Sequence, residues 1–201
     1  MSDLARNEPI YPLRMRPKDV GVALAALLFL LGGWLLMSSA TTRTRAFQDE
    51  FTPLRFAYPA DWIAVETLQD VTLRVADPAT PSAVKTSMTV ESRPLDPAAP
   101  PTLQTLLDRR VEQRQALTGY HFLSEAETEV GGARAIVTEY AYVVQPIDEP
   151  RRASLPVVVR AREYIIVTAD QSYYVTFSAP DQVFDRESRR FERVIASMVV
   201  Q

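Results

Sequence analysis

Glu127-Thr128-Glu129-Val130-Gly131-Gly132-Ala133-Arg134-Ala135-Ile136 sets two adjacent glycines between two long runs, residues 120–130 and 133–145. A two-residue hairpin loop needs left-handed backbone at its central positions, which glycine adopts without steric cost. The pair therefore predicts a tight hairpin and an antiparallel sheet. A second hairpin is read at residues 157–168 and 173–179, around Ala169-Asp170-Gln171-Ser172. Between the two hairpins, 145–156 is a charged, Pro-containing loop, long for a hairpin connection. Strands 136–144 and 157–167 carry apolar residues on both parities, as a sheet covered on both faces requires.

Past the second hairpin, Phe184, Phe191, Val194, Ile195 and Met198 recur at helical spacing, which predicts a closing helix from Asp181. Upstream, Asp96-Pro97-Ala98-Ala99-Pro100-Pro101 can be neither strand nor helix interior, because proline lacks the N–H that both need. Thr102 is placed to cap a helix carrying Leu103, Leu106, Leu107, Val111 and Leu117 on one side, with Gly119 as its stop. Residues 54–58 alternate as a strand that stops at Pro59, 63–75 hold strand-like pieces broken at Gln69-Asp70, and 84–93 alternate again. The expected fold is α+β over 51–201, an antiparallel sheet flanked by helices. A polar stalk is expected at 43–50.

Residues 20–42 hold no charged side chain and are densely apolar up to Met37. At about 1.5 Å per residue such a helix crosses a hydrocarbon core of roughly 30 Å. Arg14, Arg16 and Lys18 precede it, with Arg6 further out, and Arg43 and Arg45 follow. The positive-inside rule puts 1–19 in the cytoplasm and 43–201 outside it, so the expected location is the cytoplasmic (inner) membrane. Trp34 suits an interfacial anchor. The rival reading is a signal peptide cleaved after Ala40, since Ser38 and Ala40 are small residues at suitable spacing. Against it, the apolar run exceeds the usual 7–15 residues of a signal peptide core.

Residues 46–201 carry 16 basic and 22 acidic side chains, a net charge of −6 that argues against nucleic acid as a partner. The chain has no Cys, which excludes disulfides, zinc–thiolate sites, thiol catalysis and a lipidated-cysteine anchor.

Phe56-Ala57-Tyr58-Pro59-Ala60-Asp61-Trp62 resembles the opening strand and Tyr-Pro-x-x-Trp turn of the PsbP-like fold, found in a photosystem II extrinsic subunit and in bacterial envelope proteins. Tyr174-Val175-Thr176-Phe177-Ser178-Ala179-Pro180 is similar to its last core strand. Phe191-Glu192-Arg193-Val194-Ile195-Ala196-Ser197-Met198 is similar to its closing helix. The resemblance runs over 51–201. It implies an α/β/α sandwich that binds other proteins and rarely does chemistry, although a fold does not fix a function. Relatives' metal sites use His and carboxylates. With one histidine here, no metal, cofactor or catalytic residue is carried over.

The residues agree with that expectation. His121, the sole histidine, has no triad signature around it. Ser82-Ala83-Val84-Lys85 matches S-x-x-K, but the residues after Lys85 alternate like a strand, on which positions three apart face opposite ways. Glu125, Glu127 and Glu129 share one strand face, which reads as a solvated edge. Arg186, Arg190 and Arg193 fall on one helix face with Arg189 beside it. They are candidate docking residues for an acidic partner or lipid headgroups. Arg151 and Arg152, in the long loop, form a second candidate contact.

Anchor and resemblance together imply a non-enzymatic, single-pass protein. Its outer domain would be an accessory or docking subunit of a larger membrane complex, with the bilayer held through 20–42. The alternative is an extracytoplasmic ligand-binding or sensing domain for a small molecule or envelope component.

Overall fold

The computed structural model describes residues 17–41, 43–66, 71–146 and 155–200. The chain divides into two units, Met1–Thr42 and Arg43–Gln201. In the first, helix α1 runs over Pro17–Thr41, 25 residues. That makes it about 37 Å long at helical rise. Its side chains are described over 20–34, where Val22, Phe29 and Trp34 are all largely exposed. Over the described residues, which for the side chains of α1 are 20–34, no helix is long and apolar enough to cross a membrane.

The second unit begins with β1 (Thr44–Gln48) and β2 (Arg55–Pro59), an antiparallel two-stranded ribbon. The stretch expected as a stalk is thus mostly a strand. The Phe47 ring packs tilted against Phe56 opposite it, centres 5.0 Å apart, and this apolar contact draws the segment onto the domain. Then come β3 (Ile63–Ala64), β4 (Leu73–Ala76), β5 (Ser87–Pro94), α2 (Leu103–Arg114), β6 (His121–Val130), β7 (Ala133–Val144), β8 (Val157–Val167), β9 (Gln171–Pro180) and α3 (Asp181–Ala196). The seven later strands form one sheet in the order β3-β4-β5-β9-β8-β7-β6, antiparallel throughout. The domain is α+β.

Both expected hairpins form. Gly131 and Gly132 take φ of 57° and 83°, so the β6–β7 turn is left-handed at both positions. Thr102 caps α2 by accepting from the Thr105 N–H at 3.1 Å. The helix stops at Arg114, short of the expected Gly119. The chain turns there, with Gly119 at φ 64°.

The sheet carries a core on each face. On one, Phe177 of β9 stacks on Phe191 of α3 at 4.9 Å and packs against Phe184, with Met88, Val90 and Val175 in the same cluster. The ribbon joins this side through Phe56 and Tyr58, and Trp62 of the turn after β2 is buried with them. On the other, Leu106 and Leu107 of α2 cover Ile136, Ile165 and Tyr174. Alternation along β8 and β9 feeds both: Ile165 and Tyr174 point to α2, Ile166 and Val175 to α3.

The chain end locks the ribbon. Ser197 Oγ accepts from the Ala57 N–H at 3.0 Å, and Arg55 and Val199 exchange backbone hydrogen bonds of 2.9 and 2.8 Å. This closing segment also limits the hairpin turn. A Cβ on Gly131 would lie 2.8 Å from the Met198 carbonyl oxygen, at a φ that L residues resist. Gly131→Ala should therefore lower the unfolding free energy by about 1–3 kcal/mol, read by urea titration. A change within 0.5 kcal/mol would contradict that contact.

Candidate functional site: a saturated ion network and two surfaces

Glu163 sits mid-strand in β8 on the α2 side, between Ala161 and Ile165, with 1% of its surface exposed. A lone carboxylate there would be very costly. Its Oε1 accepts from Arg110 Nε, Arg114 Nη2 and Thr176 Oγ1, each at 2.8 Å. Arg110 also donates to Glu91 of β5 through both terminal nitrogens, and its guanidinium lies 4.5 Å from the Tyr174 ring centre. Arg110 and Arg114, one helical turn apart, thus clamp α2 to three strands.

Burial pushes the Glu163 carboxyl up, but Arg114 and Arg110 pull it further down, so it ends below the usual carboxylate range. Burial lowers Arg114, and the nearby Glu163 charge more than reverses that. Burial and the Glu163 charge both raise the Tyr140 phenol beneath them. These groups hold one another in fixed charge states, which suits a structural clamp better than proton transfer.

The arginines expected to dock a partner separate into two kinds. Arg186, Arg189 and Arg193 are exposed on α3, Arg186 beside Glu187 at 2.8 Å. Arg190 is drawn inward: its Nη2 donates to both oxygens of Asp61, at 3.0 and 2.8 Å, and its guanidinium lies 6.0 Å from the Trp62 ring centre. It serves to hold α3 against the Tyr-Pro-x-x-Trp turn. Arg151, Arg152 and the break at Gln69-Asp70 lie outside the described residues.

The remaining candidates fall apart in space. His121 is the exposed first residue of β6. Ser82 Oγ accepts from the Val84 N–H, and Lys85 Nζ donates to the Thr80 carbonyl at 2.8 Å, so no Ser–Lys pair forms. Glu125, Glu127 and Glu129 share a face, set opposite Thr138, Ile136 and Arg134 of β7. Among the described residues no three metal-ligating side chains converge.

The ion network was absent from the sequence reading. Its signal was there: a Glu on the inward parity of an apolar strand, and Arg110 and Arg114 four apart on a helix. Also unforeseen are two hollows of about 390 and 490 Å³ between α2 and β6. A third, of about 270 Å³, lies by Arg93, Arg109 and Tyr174.

No protein-family model and no curated protein matches the chain in sequence. Solved structures do match in shape. Cyanobacterial PsbP (CyanoP) from Synechocystis sp. PCC 6803 superposes with a TM-score of 0.58 at 15% identity, over 79% of this chain and 92% of that one. The fold is PsbP-like. LpqN, involved in cell envelope biogenesis of Mycobacterium tuberculosis, gives 0.54 at 10% identity over 78% of this chain and 90% of that one. PA94 of Pseudomonas aeruginosa, a protein of unknown function, gives 0.52 at 11% identity over 79% of this chain and 98% of that one. At such identities the likeness concerns architecture alone. The Glu163 clamp is read from this domain's own residues.

Because the folded Glu163 value is depressed, its stabilisation is present above the unfolded carboxylate value, near pH 4.5, and is lost as pH falls through the folded value. Glu163→Gln should cost about 3 kcal/mol at pH 7 by leaving two arginines underpaired. It should also flatten the loss of stability below pH 4.5. Denaturant titrations across pH check both. Parallel acid limbs in the two proteins would refute the assignment.

Proposed function

We propose that this is a non-enzymatic, membrane-anchored protein whose PsbP-like domain docks, outside the cytoplasm, onto a larger membrane complex. One observation carries the non-enzymatic part. The most deeply buried carboxylate, Glu163, already accepts from three donors within the fold. It has no role left in proton transfer. The anchor is supported by the apolar, uncharged run 20–42 and by a 25-residue helix whose described side chains are mostly exposed. Large exposed apolar side chains such as Phe29 and Leu30 need a nonaqueous surrounding or a partner. The charge asymmetry around the run supports an inside N-terminus.

The docking residues proposed on α3 are Arg186, Arg189 and Arg193. Three exposed guanidiniums on a helix offer bidentate donors to carboxylates of an acidic partner.

Alkaline carbonate washing of membranes should leave the full chain in the pellet, and deletion of 20–37 should release it. Mature protein beginning at Thr41 in the soluble fraction would sink the anchor. Arg189→Glu with Arg193→Glu should lower co-purification of complex subunits in mild detergent at least fivefold while the thermal melt is unchanged. Unaltered recovery would remove α3 as the contact.

A further inference from the structure

The two hollows between α2 and β6 lie side by side, with Gln104 lining both, and are treated together as one groove. Its floor is apolar. Leu107, Val111 and Phe122 line the first hollow, and Leu103 and Ile136 line the second. Phe122 is 37% exposed there, although a phenylalanine gains most from full burial.

The walls are acidic on both sides. Asp108 and Glu112 of α2 line one wall, one helical turn and hence about 6 Å apart along the axis. Glu125 and Glu127 line the other, two residues and about 7 Å apart along β6. Among the described residues Arg134 is the one cation lining the groove. The carboxylates are spread along it. Among the described residues no three of them converge to hold a metal ion. All four carboxylates are exposed, so they present negative charge at intervals along the groove. β6 is the terminal strand of the sheet, so the groove is open on its outer side.

We infer that this groove takes a segment of a partner protein with apolar side chains for the floor and Lys or Arg at intervals for the two walls. An acid-rimmed apolar channel discriminates by charge complementarity, and a second copy of this acidic edge would be repelled by the same rows. The inference rests on the docking reading and adds a contact on the α2 side of the sheet, opposite the side held by α3.

A benzophenone side chain in place of Phe122, in the full chain in its native membrane, tests this. A second probe replaces Ala196 of α3, an exposed residue about one turn past Arg193. The crosslinked segment from position 122, mapped by mass spectrometry, should be apolar with at least two Lys or Arg. Its yield should drop at least fivefold with Glu125→Lys and Glu127→Lys, but not with Glu50→Lys and Glu66→Lys, which change net charge equally at exposed sites away from both the groove and α3. With all native carboxylates in place, yield should also fall as salt rises from about 0.05 to about 0.5 M, because open charge pairs are screened. A segment without basic residues, a salt-independent yield, or an equal drop in both charge variants overturns the inference. Crosslinks at position 196 with none at 122 overturn the groove and leave docking standing. None at either position overturns both.

Discussion

A single buried carboxylate decides where α2 lies. Leu106 and Leu107, with Leu103 and Val111 beside them, give the helix its apolar footprint on Ile136, Ile165 and Tyr174. Such a footprint is slippery, since apolar contact is non-directional. Glu163 removes the slack. Its oxygen is shared by Arg110, Arg114 and Thr176, while Arg110 reaches on to Glu91. Charge-assisted bonds with fixed forks impose a register that methyl groups cannot. The gap between α2 and β6, and with it the acid-rimmed groove, exists because the helix is held there.

The opposite face is organised by packing first and charge second. Phe184 and Phe191 sit on Phe177, and this cluster is contiguous with the ribbon through Phe56 and Tyr58. Around its rim, Arg162 pairs with Glu139 and Glu192, and Arg190 with Asp61. These outer pairs contribute little individually. Their effect is to consume cations, which leaves Arg186, Arg189 and Arg193 as the part of the α3 arginine group that faces outward.

The likeness to CyanoP and LpqN at 15% and 10% identity has a simple physical basis. An alternating sheet with one amphipathic helix per face is satisfied by many apolar combinations of similar volume. What distinguishes members of such a fold is where polar groups interrupt the pattern. Here the interruptions are the clamp, the groove walls and the α3 surface. A reading of function has to start from those rather than from the architecture.

Much of the architecture was legible along the chain. Gly131-Gly132, the Thr102 cap and the spacing of Phe184, Phe191 and Val194 each act within a few residues, where backbone sterics and periodicity operate. The lack of charge across 20–42 is equally a local property. The strand at 44–48 is not legible in the sequence because its partner contact, Phe47 against Phe56, is not local and its own residues are mostly polar. The pairing of Glu163 with Arg110 spans 53 positions, and that of Arg190 with Asp61 spans 129. No periodicity links such residues, because chain folding alone sets which charges meet. The composition and order of residues thus determined the hairpins, the helices and the apolar rod. Only the tertiary structure decided which charged side chains are spent inside the fold and which are left to face a partner.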